Sequence, residues 1–253
     1  MKCMHYSPNQ LFFLGLHLNN FMKKLSIIIP VFNEETTIFQ VLDVVNNIPL
    51  NHGVEKEIIV VNDCSTDNSA NEIMRYCQNF EHIQVINKPV NQGKGAALHT
   101  GIQYATGDYI VIQDADLELD PNEINLLIEP VIQNEADVVY GSRFLNGKVQ
   151  TQNLLSRWAN WFLTKLSNVV FGIKITDMET CYKLIPADVF KSLHLVEQRF
   201  GFEPEITAKL AKNKKLRWKE VPITYNPRNT IQGKKIGWKD GVRAVQCILK
   251  YGI

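Results

Sequence analysis

Apolar and polar positions along this chain fall into two alternating registers. Short β-branched runs are each followed by a stretch whose apolar positions recur three and four residues apart. Leu25 to Val31 reads as a buried strand, and Glu34 to Asn47 as a helix with Ile38, Val41, Leu42 and Val45 on its apolar face. Glu57 to Asn62 is a second strand, and the helix after it, through about Cys77, can be capped by Ser65 or Asp67. Ile83 to Asn87, a helix over Ala96 to Tyr104 and the strand Tyr109 to Gln113 continue the series. This β-α period predicts an α/β fold built on a mostly parallel, doubly wound sheet flanked by helices. A helix from Pro121 to about Asn134 and the strand Asp137 to Tyr140 follow. The second half is less regular: helices over Asn153 to Phe171, Phe202 to Lys212 and Trp238 to Tyr251, with short strands at Leu216 to Val221 and Ile223 to Tyr225.

Composition narrows the setting. The chain has 253 residues and a formal charge of +1, which argues against a broad basic nucleic-acid surface, although residues 212–219 and Lys234-Lys235 concentrate positive charge late. Five cysteines, odd in number and without a C-x-x-C spacing, indicate neither a disulfide framework nor a zinc site, which makes the cytoplasm the expected compartment. No apolar run reaches the roughly 18 to 20 residues that cross a bilayer. Residues 1–22 contain a short apolar core but no A-x-A-like cleavage site, and are expected to be a poorly ordered leader, with Met22 as an alternative start.

The chemistry concentrates where Ile110 to Gln113 runs into Asp114, Asp116, Glu118 and Asp120. The carboxyl ends of strands are where open α/β sheets bind ligands. An Asp-x-Asp pair pointing one way can share a divalent cation, or hold a cation and a ribose hydroxyl; the plain alternative is a solvated acidic loop before a helix. Asp63 sits at another strand exit. Gly93-Lys94-Gly95 precedes a helix and is either an entry turn or a phosphate contact; it lacks the spacing of a Walker A loop. Arg143, at the exit of a later strand, suits bidentate phosphate binding or a surface ion pair. The Asn153 to Phe171 stripe is core packing or, with Trp158, Trp161, Arg157 and Lys165, an interfacial helix. Glu203 and Glu205 in a first helical turn read as caps. The loop Asn226 to Lys235 carries Arg228, Lys234 and Lys235, as a solvated basic loop or one that closes on an anion.

In order, I-I-P-V-F-N-E-E at Ile28 to Glu35, V-N-D-C-S-T-D-N-S at Val61 to Ser69, N-Q-G-K-G at Asn91 to Gly95, Q-D-A-D-L-E at Gln113 to Glu118, G-S-R at Gly141 to Arg143 and S-R-W-A-N at Ser156 to Asn160 resemble the family 2 glycosyltransferases of the GT-A fold. The resemblance is strongest to dolichyl-phosphate mannose synthases and their bacterial polyprenyl-phosphate relatives, and runs from about Leu25 to Gly241. It implies a Rossmann-like GT-A domain over residues 23–253, with a nucleotide-sugar and metal half (23–143) and a smaller acceptor half (144–253).

The resemblance also implies roles. Pro30 and Glu34 cradle the nucleoside, Asp63 contacts the base, and Asp114 and Asp116 hold the ribose and a Mg2+ or Mn2+ ion on the diphosphate. Glu118 stands where many relatives carry Gln and is a candidate third metal ligand. Lys94, Arg228 and Lys234 or Lys235 face the diphosphate, and Arg143 and Arg157 receive the acceptor phosphate. The implied activity is inverting transfer of mannose or glucose from GDP-mannose or UDP-glucose to a polyprenyl (dolichyl or undecaprenyl) phosphate, by a protein peripheral on the cytoplasmic face of a membrane. The alternative is transfer to a glycan or other hydroxyl acceptor in cell-surface polysaccharide synthesis, with a base among Asp177, Glu179, Glu203 and Glu205. No nucleic-acid partner is implied.

Overall fold

The computed structural model describes residues 22–78, 80–145, 154–227 and 238–252. Its strands are β1 (Lys24–Val31), β2 (Glu55–Asn62), β3 (Ile83–Asn87), β4 (Tyr109–Ile112), β5 (Val138–Ser142), β6 (Lys183–Pro186) and β7 (Trp218–Pro222). The helices are α1 (Ile38–Asn47), α2 (Ser69–Cys77), α3 (Lys94–Tyr104), α4 (Ile124–Ile132), α5 (Leu154–Phe171), α6 (Ala187–Ser192), α7 (Phe202–Lys212) and α8 (Trp238–Gly252). The strands form one seven-stranded sheet in the order β3-β2-β1-β4-β6-β5-β7.

β1 is apolar on both faces because both are covered, and Ile27, Ile28 and Ile29 have no exposed surface. It pairs in parallel with β2 (Ile28 opposite Ile59) and with β4 (Ile28 opposite Ile112). The strand order therefore reverses about β1, and the crevice at the carboxyl ends of β1 and β4 is the topological switch point of the sheet. Gly101 in α3 lets that helix lie directly on β1, since a Cβ there would collide with the Ile28 side chain. Met22 is already buried in the core.

The pattern missed β6 and the short helix α6 that follows it. β6 is only four residues long and ends in Pro186, so no alternation develops, and it runs antiparallel to both β4 and β5. Its direction matters for the site. An antiparallel strand begins where its parallel neighbours end, so the segment entering β6 delivers Asp177, Glu179, Cys181 and Lys183 to the carboxyl end of the sheet. The expected pair of short strands near residue 220 is one strand, Trp218–Pro222, beside β5.

Candidate active site

The first two strand exits are laced together. Asn33 takes a left-handed backbone (φ 53°), which asparagine tolerates, and its Oδ1 accepts the Thr66 amide at 2.8 Å. The amide of Glu34 donates to Ser69 Oγ at 2.8 Å, that of Glu35 to Asp67 at 3.1 Å, and that of Asn68 to Glu35 at 2.7 Å. Thr37 Oγ1 reaches both Glu34 Oε2 at 3.1 Å and the Ala115 carbonyl at 2.9 Å, which fixes Glu34 beside the acidic loop. Pro30 is buried within β1, opposite Val61.

Asp63 is buried, and its carboxylate accepts the Gln92 amide at 3.1 Å and the Gly93 amide at 2.6 Å while pairing with Lys88 at 2.9 Å. It thus staples the end of β2 to the loop that opens α3. Lys94, the first residue of α3, places its ammonium 2.6 Å from Asp114 and 4.0 Å from Glu203. Burial alone would lower the lysine, but Asp114, Cys181 and Glu203 outweigh it and its pKa is raised; burial likewise opposes ionisation of Asp114, and Lys94 lowers it on balance.

Beyond Asp114 the loop curls on itself, the Glu118 amide donating to Asp116 Oδ1 at 3.2 Å. Glu118 accepts the Tyr225 hydroxyl at 3.0 Å, and the Arg143 guanidinium lies 5.1 Å from the same ring. Tyr225 therefore joins the acidic loop to the exit of β5, a link a linear reading does not show because Tyr225 and Glu118 are 107 positions apart. Among the described residues no three His, Cys, Asp or Glu side chains converge as a ready cation cage. A hard cation that takes one or two carboxylates and completes its shell with substrate phosphates and water fits this donor set, with Asp114 and Asp116 as the residues that would hold it.

At the exit of β5, Arg143 makes a bidentate pair with fully buried Asp177, from Nε at 2.7 Å and from Nη2 at 2.8 Å. Burial works against the guanidinium, yet Asp177 raises its pKa further. Five donors on a guanidinium leave some beyond that pair. The neighbouring Phe144, with Arg157, Trp161, Thr164, Lys165, Ile175 and Thr176, lines a cleft of about 250 Å³ between α5 and the segments that follow β5 and precede β6. Arg143 and Arg157 thus belong to one corner of the molecule, whereas Arg228, Lys234 and Lys235 lie outside the described residues.

Four further ionisable residues have partners or surroundings that a linear reading did not give. Lys183 is fully buried, its ammonium held by the Thr180 carbonyl and by Glu203 at 2.5 Å, with the Tyr140 ring 5.0 Å away. Glu203 is therefore a counter-ion, and Glu205 also differs from a cap of its own helix: it accepts the Val196 amide at 3.0 Å and the Glu197 amide at 2.8 Å. Glu179 has a buried Oε1 without a hydrogen-bond partner, and burial, then the nearby Glu203, push its pKa up to about 7. A signal for Lys183 did exist, since a lysine inside the apolar run Tyr182 to Ile185 calls for a buried partner.

Comparison with known proteins agrees with this geometry. A dolichyl-phosphate β-glucosyltransferase of Trichomonas vaginalis is 29% identical over 225 residues, 84% of this chain and 68% of that protein. A low-salt glycan biosynthesis hexosyltransferase of Haloferax volcanii is 30% identical, over 89% of this chain and 53% of its own length. The dolichol-phosphate mannosyltransferase of Pyrococcus furiosus is 29% identical over 84% of this chain and 60% of its own length. Among solved structures, glucosyl-3-phosphoglycerate synthase of Mycobacterium tuberculosis, crystallised with Mn2+, UDP and phosphoglyceric acid, superposes with a TM-score of 0.65 at 18% identity, covering 91% of this chain and 78% of that one. That likeness establishes the shared GT-A architecture of mostly parallel sheet and flanking helices. Residues 26–193 match the family described as Glycosyl transferase family 2, so the chain, with its strand-exit carboxylates at the switch point of such a sheet, belongs to that family.

Proposed function

We propose that this protein is an inverting hexosyltransferase that moves mannose or glucose from a nucleotide diphosphate sugar to a polyprenyl phosphate. The observation that carries the reading is the cleft beside Arg143: cationic at Arg157 and Lys165, apolar at Phe144, Trp161 and Ile175, as a phosphate on a lipid chain requires. The relatives support it, since their names include dolichyl-phosphate glucosyl- and mannosyltransferases and a dodecaprenyl-phosphate galacturonate synthase. They divide over the sugar, so the donor, GDP-mannose or UDP-glucose, is a matter for assay.

On this reading Glu34 and Asp63 border the nucleoside, and Lys94 neutralises the donor diphosphate. A Mg2+ or Mn2+ ion on Asp114 and Asp116 would supply charge stabilisation to the departing diphosphate. Arg143 and Arg157 hold the acceptor phosphate on the opposite side of the sugar. The bond from the anomeric carbon to the diphosphate oxygen breaks as the acceptor oxygen bonds to that carbon, and the configuration inverts. A phosphate monoester is largely ionised near neutral pH, so positioning by arginines replaces a strong base.

No described helix is long and apolar enough to cross a membrane. Contact with the cytoplasmic face of a bilayer would come through α5, where Trp158 and Trp161 are 60% and 55% exposed beside Phe162 and Val169.

The test is transfer of radiolabel from GDP-mannose and from UDP-glucose, with Mg2+ or Mn2+, into an organic-extractable product in the presence of polyprenyl phosphate. Lipid-linked product from either donor supports the proposal and names the sugar; no product with any polyprenyl phosphate overturns it. A hydroxyl acceptor is favoured by one feature, the burial of Glu179 beside Glu203, which pushes its carboxyl up to about 7, the range that suits a general base. As a general base Glu179 must be ionised, so turnover would rise with pH through about 7 and fall roughly 100-fold or more in Glu179→Gln. A phosphate acceptor predicts no such loss in Glu179→Gln, and instead a higher acceptor KM in Arg157→Ala with donor binding unchanged.

A further inference from the structure

The two glycines around Lys94 have a reason besides any ligand. Residues 196–199 form a strap that crosses the Gly93–Gly95 loop, and the Ala96 amide donates to the Gln198 carbonyl at 3.0 Å. A Cβ on Gly95 would collide with the Glu197 carbonyl oxygen, and one on Gly93 would lie 2.8 Å from both the Gln198 carbonyl oxygen and Arg199 Cγ. Gly93 also has φ 98°, a conformation that side chains resist. The glycines thus admit the strap to van der Waals contact with the loop.

The strap is itself gripped from two helices. Glu205 of α7, fully buried and paired with Lys209 at 2.7 Å, accepts the Val196 and Glu197 amides from beneath. From α8, Arg243 donates twice at 2.8 Å to the Glu197 carboxylate, Tyr251 donates at 2.9 Å, and Lys250 lies at 3.4 Å. Burial would raise the Glu197 carboxyl, but these donors lower it. Gly201 keeps this contact tight, since a Cβ there would sit 2.6 Å from Glu197 Oε2 and 2.7 Å from Cys247 Sγ.

We infer that Glu197 is a positioning residue for the donor loop: through the strap it couples the docking of α8 to the pose of Gly93–Gly95 and so to Lys94. The inference rests on the proposed role of that loop in holding the donor diphosphate. Loosening the latch leaves the loop to be ordered at the expense of donor binding, so donor affinity falls while acceptor affinity and the rate from the bound complex stay near wild type.

The experiment compares wild type with Glu197→Ala, Arg243→Ala, the double variant and the conservative Glu197→Gln. Two readouts are taken on the full chain: hydrogen exchange of peptides spanning residues 93–98, and the Kd of UDP-glucose and of GDP-mannose with Mg2+ by calorimetry. Expected are faster exchange at 93–98 with unchanged exchange in β1 and β2, and a donor Kd raised roughly 5- to 20-fold. The double variant should be no worse than either single one, and Glu197→Gln should recover part of the loss. Unchanged exchange at 93–98, uniform acceleration across the sheet, or a donor Kd equal to wild type would each overturn the inference. A wild-type protein that binds neither donor would refute the proposed donor site instead, while the exchange measurement would still decide whether the latch holds the loop.

Discussion

Lys183 carries a charge with no exposed surface, and its stability depends on two groups, the Glu203 carboxylate and the Thr180 carbonyl. Removing one partner of such a pair leaves the other charged and unpaired, which costs about 3–5 kcal/mol, whereas replacing both is often nearly neutral. Lys183→Met should therefore lower the urea unfolding free energy by about that amount, and Lys183→Met with Glu203→Leu should recover most of it. A single variant as stable as wild type would show that Glu203 is neutralised elsewhere, with Lys94, 4.0 Å away, as the alternative partner. Asp116 is a different case: its carboxylate lies in a loop, where it accepts the Glu118 amide at 3.2 Å, and its proposed role is to hold the donor's metal ion. Asp116→Ala should keep the wild-type melting temperature within a few degrees while lowering metal-dependent transfer at least about 100-fold. Full activity in the folded variant would remove Asp116 from the donor site.

At the level of elements, the end of the sheet opposite the site is closed by Glu57. Its carboxylate takes hydrogen bonds from Ser26 Oγ at 2.5 Å and from the Thr106 amide at 2.5 Å and hydroxyl at 2.6 Å, and pairs with Lys24 at 2.7 Å. Burial pushes this carboxyl up, but the donors from Lys24, Ser26 and Thr106 win and hold it down to about 2, against an ordinary 4.5. A folded-state pKa below the unfolded one stabilises in full above the unfolded value. That stability is lost as pH falls from about 4.5 towards 2. Glu57→Gln should flatten this part of the stability–pH curve and cost about 1 kcal/mol at neutral pH, since the pair with Lys24 is partly exposed. Urea titrations at several pH values check both; an unchanged acid slope would locate the acid sensitivity in another carboxylate. β6 makes the complementary point, because four residues with one buried lysine persist as a strand through pairing with β4 and β5 on either side.

Over the whole molecule, the carboxyl edge of the sheet gathers the charged groups of the candidate site, while α5 turns an aromatic face outward in which Trp158 stacks on Phe162 at 5.6 Å. If that face meets lipid, Trp158→Ser with Trp161→Ser should weaken co-sedimentation with anionic phospholipid vesicles roughly tenfold or more and leave donor binding intact. Equal sedimentation of variant and wild type would assign the face to another partner. Much of this architecture was legible beforehand, because a strand buried on both faces needs a continuous apolar run and a helix on its surface needs a 3.6-residue stripe. β1 to β5, their intervening helices, α5, α7 and α8 all carry such local signals, and the strand-exit motifs located the carboxylates at the carboxyl end of the sheet. Sequence by itself thus determined the β-α succession, the placing of Asp63, Asp114 and Arg143 at strand ends, and the family resemblance, since each depends on residues adjacent in the chain. Only the tertiary structure decided the reversed β6, the Arg143–Asp177 and Lys183–Glu203 pairs, the Tyr225 bridge to Glu118 and the Glu197 strap over Gly95, because these depend on charges distant in sequence finding one another where water is excluded.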